Sequence, residues 1–405
     1  MRSALLMTAF MAVATPLTTS VVMADTPITL KTLTTYVYNQ APAKQGEASL
    51  QQLSDARKNR ASTLFADAAT ISFNHYNDGV GSGDGLREYE SAVSMPLWLP
   101  GQKRQQQNWS QEIANQLPYY QQRLRLQASG IVRQHVWQVM QAAAQVRQAD
   151  STLENAQSIL DSVSLRVEGS DLPETELLLA QSHLLSMKNN RQHAQNQLQQ
   201  AMNQYFYQTG QRELPADVEE SLSAQRNITV EHPILAELSQ QVTTLRSEMQ
   251  NARYANAVNP SVSVGVKRER GAGNEPFNNS LGLGLTLALG DKPYSEPAIA
   301  EAAKAMSDIE IERQQIKRQL EAQLLAQLDQ LASQQAQQDM LKAQYDISSA
   351  YLERQKKSFE FGQIDLMTLL RVEAQTYNDR AQIQMLEISI GQTIAEINQT
   401  LGVTL

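Results

Sequence analysis

Cysteine is missing from all 405 residues. Disulfides and thiolate metal sites are thereby excluded. So is a lipid-bearing cysteine behind a leader, and the expectation is a chain with no acyl anchor. Aromatic residues are scarce, at 6%. Beyond residue 24 no apolar run reaches the ~18 residues that a membrane-crossing helix needs. If the chain crosses a membrane, it must do so as a closed β-barrel. A basic surplus is also lacking: the net charge is -8, which argues against a nucleic-acid surface. What is abundant is Gln, Ala, Leu and Glu, a bias toward long helices and coiled-coil packing.

The start reads as a secretory leader over residues 1–24. Arg2 is the positive region, Ala4 to Val13 the apolar region, and Val22-Met23-Ala24 the small-residue cleavage pattern. A short anchor is the competing reading, weakened by Pro16 and the threonines that interrupt the segment.

The remainder looks duplicated. Each half reads helix, strand, Gly-rich loop, strand, very long helix, tight turn, long helix. Gly101 and Gly290 mark equivalent strand ends, 189 residues apart, and Gly169 and Gly362 mark equivalent turns, 193 apart. Nearly equal offsets favour a tandem duplication. The first repeat is placed at 25–228, with strands about 68–76 and 88–99 and helices about 101–167 and 172–208. The second is placed at 229–405, with strands about 261–269 and 279–289 and helices about 297–361 and 365–402.

The strand segments alternate with period two. Ile71 and Phe73 alternate with Ser72 and Asn74; Val93, Met95, Leu97 and Leu99 follow in the second segment. Val262, Val264 and Val266 alternate with Ser261, Ser263 and Gly265, and Leu281 to Leu289 alternate with Gly282, Gly284, Thr286 and Ala288. The opposite face is small or polar, which suits a water-filled lumen. Four strands alone leave open edges. Three copies would contribute twelve strands, enough to close a barrel around a channel. An ordinary sheet packed on the helices is the competing reading.

Along the helices, Val139, Ala142, Val146, Ala149, Leu153, Ala156, Leu160 and Val163 keep an unbroken 3-4 heptad spacing. It resumes through Leu177, Ala180, Leu184 and Met187. A helix from Gln102 to Arg166 would be a rod of about 100 Å. At the turns, Gly169 is expected in the left-handed conformation, Asp171 as the next N-cap, and Glu174 in capping-box spacing behind Pro173. Gly362 and Asp365 are expected in the matching roles.

At this point the residues resemble a known family, the TolC-like outer membrane factors. The likeness rests on the duplicated order of elements and on Ser94 to Arg104, a strand running into a helix through Gly101 and basic residues. It rests also on the hairpin segments around Glu168-Gly169 and Phe361-Gly362. The resemblance implies a mainly helical chain with a transmembrane β-barrel: a homotrimer whose twelve-stranded barrel in outer membrane lipid stands on a long periplasmic α-barrel. It implies docking to a periplasmic adaptor and to an inner-membrane transporter of the RND type. Val132-Arg133-Gln134-His135-Val136-Trp137 look closest to the heavy-metal efflux (CzcC-like) subgroup. Many relatives carry a lipidated N-terminal cysteine, and this chain departs from them there.

The reading is a passive exit duct, with no catalytic residues, no cofactor and no resident metal. Nothing resembles a phosphate-binding loop or a nucleophile elbow. None of the five histidines has a partner at i,i+4 ligand spacing. Docking to the adaptor is expected at the hairpin tips: Arg166, Gly169, Leu172, Leu177, Gly362, Leu366 and Leu369. The leucines face a partner or pack the hairpin core, and both uses are open. Asp171, Glu174 and Asp365 either ring a cation-favouring constriction or only cap helices. Two other classes compete. A periplasmic adaptor would carry one hairpin flanked by compact β domains, and a coiled-coil scaffold would carry no alternating strands.

Overall fold

The computed structural model describes residues 28–254, 258–287 and 292–405. The expected leader and the expected end of the fourth strand, Ala288 to Gly290, lie outside the described residues. Two helices, α1 (Leu30–Gln40) and α2 (Gln45–Ser62), precede strands β1 (Thr70–Asn77) and β2 (Arg87–Pro96). Then come the 67-residue helix α3 (Gln102–Glu168), α4 (Glu174–Thr209) and α5 (Pro233–Ala252). Strands β3 (Ser261–Arg270) and β4 (Asn278–Thr286) lead into the 69-residue α6 (Lys292–Glu360) and α7 (Leu366–Thr400).

All four strands form one antiparallel sheet in the order β1-β2-β3-β4. The join between the two halves is the β2–β3 ladder, in which Val93 stands opposite Val264 and Arg87 opposite Arg270. The second strand stops at Pro96 and does not reach residue 99. Pro96 has no N–H to continue a ladder, and Leu97 N–H turns to the carbonyl of Pro260 at 2.6 Å. Beyond it the indole of Trp98 donates to the Thr63 carbonyl at 3.2 Å. Gly101, at φ +82, then turns the chain into α3. The last long hairpin also differs from expectation at its start, because α6 begins at Lys292 and carries Pro297 inside its early turns. A proline there removes one early helical bond and leaves the later ladder intact.

The two rods belong to long helical hairpins, α3 with α4 and α6 with α7. The heptad seam of α3 is buried where small residues allow close approach: Ala142, Ala149, Ala156 and Val163 are spaced by seven and all buried. Opposite them Ala180, Leu184 and Ala194 of α4 are buried too. Around mid-length, α1, α3, α4 and the segment after α4 share a core of Leu33, Val136, Tyr205 and Val218. A second core joins α5, α6 and α7 through Leu235, Leu324 and Ile397. A third closes the hairpin tips through Val163, Ala180, Leu352, Phe359, Leu366 and Leu369.

Candidate conduit: the strand sheet and the hairpin tips

The register sorts the sheet into two unlike faces. One row crosses the strands as Ile71, Val93, Val264 and Leu283; flanking rows add Phe73, Val266 and Leu281, then Met95, Val262 and Leu285. On this apolar face Ile71 is 79% exposed and Leu283 78%. The opposite face reads Ser72, Ala92, Gly265, Gly282, then Thr70, Ser94, Ser263, Gly284. Further toward the loops it is charged and internally matched, for Lys267 Nζ lies 3.0 Å from Glu88 and 2.7 Å from Glu269. Among the described residues no helix packs over either face. β2, β3 and β4, of 9 to 10 residues, have the length needed to cross a bilayer when tilted, and β1, of 8, is one residue shorter. Within one chain β1 and β4 are edge strands, with one side of each unpaired.

At the other end of the rods stand the two turns. Each is closed by the pair of hydrogen bonds of a Schellman motif. After α6, Gly362 N–H donates to the Phe359 carbonyl at 2.9 Å and Gln363 N–H to the Ser358 carbonyl at 2.8 Å. Gly362 holds the left-handed position, at φ +70. After α3 the same pair is made by Ser170 N–H to Val167 at 2.9 Å and Asp171 N–H to Arg166 at 2.8 Å. Here the left-handed residue is Ser170, at φ 61, whereas Gly169 is ordinary right-handed helix at φ -74. The expectation for Gly169 is therefore off by one residue, because α3 ends at Glu168, Gly169 is its right-handed C-cap, and the left-handed position falls on the residue after it.

The capping expectations divide in the same way. Asp365 is the N-cap of α7, and its carboxylate accepts the Thr368 N–H at 2.8 Å. Its bonds from Thr368 hold the Asp365 carboxyl below the usual aspartate value. Asp171 does not cap α4. That helix begins at Glu174 with Pro173 as its N-cap and no side-chain cap bond. Pro173 is extended, at ψ 152, so the chain straightens after the turn and carries Asp171 away from the new helix. Asp171, Glu174 and Asp365 are all exposed.

The structure separates the expected docking residues. Leu366 and Leu369 are buried in the tip core and shape it from within; they are not offered to a partner. Leu172 and Leu177 are half-buried against that core. Arg166 is engaged across the two hairpins: its Nη1 donates to the Phe359 carbonyl at 3.0 Å, and its guanidinium lies 4.7 Å from the Phe359 ring centre. Gly169 and Gly362 are exposed at the turns. The apolar groups presented outward are others: Phe361, 78% exposed, with Leu165, Leu178 and Met367. Phe361 was detectable as a large apolar residue just before a helix-ending glycine.

Burial pushes His135, His183 and His232 below the usual histidine value. Among the described residues no cluster of His, Asp or Glu is placed to hold a metal ion, and no helix is long and apolar enough to cross a membrane.

No protein-family sequence model matches the chain, and neither does any curated protein sequence. Solved structures do match. CusC, described in terms of transmembrane channel formation, is similar over 92% of this chain and 92% of its own, at 14% identity and TM-score 0.71. The VceC outer membrane protein of Vibrio cholerae is similar over 92% of this chain and 96% of its own, at 12% identity and TM-score 0.70. The CmeC outer membrane channel of Campylobacter jejuni is similar over 92% and 85%, at 14% identity and TM-score 0.68. The chain has the fold of the TolC-like outer-membrane channels: long helical hairpins joined to a small antiparallel sheet.

Proposed function

We propose that this chain is one protomer of a passive outer-membrane exit duct, serving a periplasmic adaptor and an inner-membrane transporter of the RND type. The observation that carries the reading is the sheet. It exposes an apolar face and a small, polar face, has two open edges, and stands on rods some 65–70 residues long. Such a sheet is not a finished structure in water or in lipid. Pairing β4 of one copy with β1 of the next removes the edges, turns the apolar face to lipid and the small face to a lumen. Three copies give a twelve-stranded wall. Likeness of fold to CusC, VceC and CmeC, described as an outer membrane protein or in terms of a channel, supports the duct reading.

The tips would meet the adaptor through Phe361, Leu165, Leu178 and Met367, with Leu172 and Leu177 beside them. Gly169 and Gly362 would allow close approach of a partner backbone. Leu366, Leu369 and Arg166 would hold the tip in shape. Exposed Asp171, Glu174 and Asp365 would ring the entrance and favour cations. A metal cargo is supported by the resemblance of residues 132–137 to the heavy-metal branch. A deletion strain with unaltered metal tolerance would remove that branch.

The duct is tested by fractionating cells, comparing heated with unheated samples on a denaturing gel, and reconstituting the protein in planar bilayers. The expected result is an outer-membrane protein with a heat-labile oligomer and discrete conductance steps. A monomer recovered from soluble periplasm, silent in bilayers, would refute it.

A further inference from the structure

The loop end of the sheet carries an imbalance of charge between its faces. On the small, polar face the cation is matched, since Lys267 is held between Glu88 and Glu269. On the apolar face three arginines stand beyond the last apolar row. Arg268 shares a row with His75, Tyr89 and Asn279, and Arg87 and Arg270 face each other directly in the next. No carboxylate lies within ion-pair distance of any of the three among the described residues. Two like charges directly opposite across a ladder are destabilising when nothing lies between them.

The arginines are nonetheless positioned. Phe277 lies under both guanidinium groups on β3, 4.6 Å from Arg268 and 5.0 Å from Arg270. Tyr89 packs on Phe277 at 6.4 Å and stacks on His75 at 4.5 Å. Arg270 Nη1 donates to the Gly273 carbonyl at 3.3 Å, but its Nε is shut off from water with no hydrogen-bond partner. Arg87 is exposed and unpaired. An aromatic shelf at the edge of an apolar band, bearing uncompensated guanidinium groups, has the chemistry of an interface with anionic headgroups. Guanidinium forks match phosphate oxygens bidentately.

We propose that Arg87, Arg268 and Arg270 form a binding site for the phosphate groups of an anionic lipid in the outer leaflet. A phosphate seated between Arg87 and Arg270 relieves their opposition. The proposal rests on the duct reading, which places this face against lipid.

The test uses the full-length chain in zwitterionic detergent, probed with lipid A, a diphosphorylated glycolipid, and separately with inorganic phosphate. Bound lipid is counted by native mass spectrometry for the wild-type chain, for the Arg87→Gln/Arg268→Gln/Arg270→Gln variant, and for Lys267→Gln. Each cation near an anionic surface contributes about a fivefold factor, so the triple variant is expected to bind lipid A on the order of 100-fold more weakly. Lys267→Gln, which removes a cation at the same height on the other face, is expected to bind as wild type. Should the triple variant fail to form the heat-labile oligomer, Arg87→Gln alone serves, with a loss of about fivefold. Undiminished lipid A binding by an arginine variant that still conducts in bilayers overturns this site and leaves the duct standing. Inorganic phosphate binding as tightly as lipid A overturns the lipid assignment. A wild-type chain that neither inserts nor conducts overturns both.

Discussion

Arg133 and Glu220 meet as a two-bond fork, Nε to Oε1 at 2.8 Å and Nη2 to Oε2 at 2.7 Å. The arginine side chain is only 4% exposed. Its remaining Nη1 donates to Gln399 at 2.6 Å and to the Val403 carbonyl at 2.9 Å, and Asn398 donates to Glu220 at 3.1 Å. One ion pair thus binds the middle of α3, the segment after α4 and the chain's C-terminal end.

Removing one member should cost more than the pair itself contributes. Glu220→Ala leaves a guanidinium buried without its counter-charge, with an expected loss of about 3–5 kcal/mol. Replacing both, as Arg133→Met with Glu220→Leu, removes the stranded charge along with the pair and should recover most of that loss. Urea unfolding followed by circular dichroism measures the three proteins. A double variant no better than the single one would show that the geometry of the fork, and not charge burial, sets the cost.

Ser170 supplies a second expectation, of opposite sign. A left-handed non-glycine residue costs roughly 1–2 kcal/mol, and Ser170 sits at φ 61 where Gly362 fills the equivalent place in the other turn. Ser170→Gly should therefore stabilise the first tip by up to about 1 kcal/mol, after the larger chain entropy of glycine is subtracted. Gly169→Ala should be tolerated, because Gly169 is right-handed and an added Cβ would meet only the Leu165 and Arg166 carbonyls and the Asp171 carboxylate, none nearer than 3.5 Å. Thermal midpoints of the two variants test this; a destabilised Ser170→Gly sinks it.

These tips show what a sequence can and cannot carry. Gly362 and Asp365 are legible because local chemistry decides them: a glycine with positive φ and an aspartate three residues before an amide to cap. The strand faces are legible for the same reason, as a period of two survives whatever the partner strand is. Gly169 misleads because a glycine at a helix end need not be its left-handed residue: here it is the right-handed C-cap, and the serine after it takes the strain. Leu366 and Leu369 are apolar at a turn, a pattern equally fit for a partner or a core; only the meeting with Val163 and Ala180, nearly two hundred residues earlier, makes them core. Arg133 and Glu220 are 87 residues apart, and no periodicity joins them.

Glu373 gives a pH expectation. It is 5% exposed on α7, and burial pushes its carboxyl above the usual glutamate value, against the lowering pull of Lys356 and of a bond with Tyr377. Burial and the Glu373 charge push Tyr377 itself up to about 12, so its hydroxyl keeps its proton. A folded-state value above the unfolded one means that the folded chain holds the proton longer. Stability from this group is full below the ordinary glutamate range and is lost as pH rises through the raised value. Glu373→Gln mimics the protonated form. It should exceed wild type in thermal midpoint at pH 8 and converge with it near pH 4. A constant difference across that range would rule out the titration.

The face assignment of the sheet can be tested on adjacent residues of one strand. Leu283 lies on the apolar face, in the row of Ile71, Val93 and Val264. Gly282 lies on the small face, where an added Cβ would meet only the Gly265 carbonyl at 3.9 Å. With Leu283 turned to lipid, Leu283→Arg puts a charge into hydrocarbon at a cost of about 2–4 kcal/mol near mid-bilayer. Gly282→Arg puts the same charge into a water-filled lumen, where that cost is absent. The expected result is loss of the heat-labile oligomer for Leu283→Arg, and a normal oligomer with shifted ion selectivity for Gly282→Arg. The reverse pattern would mean that the sheet is inside out: strands of period two admit two orientations, and the substitution that abolishes assembly identifies the side that meets lipid.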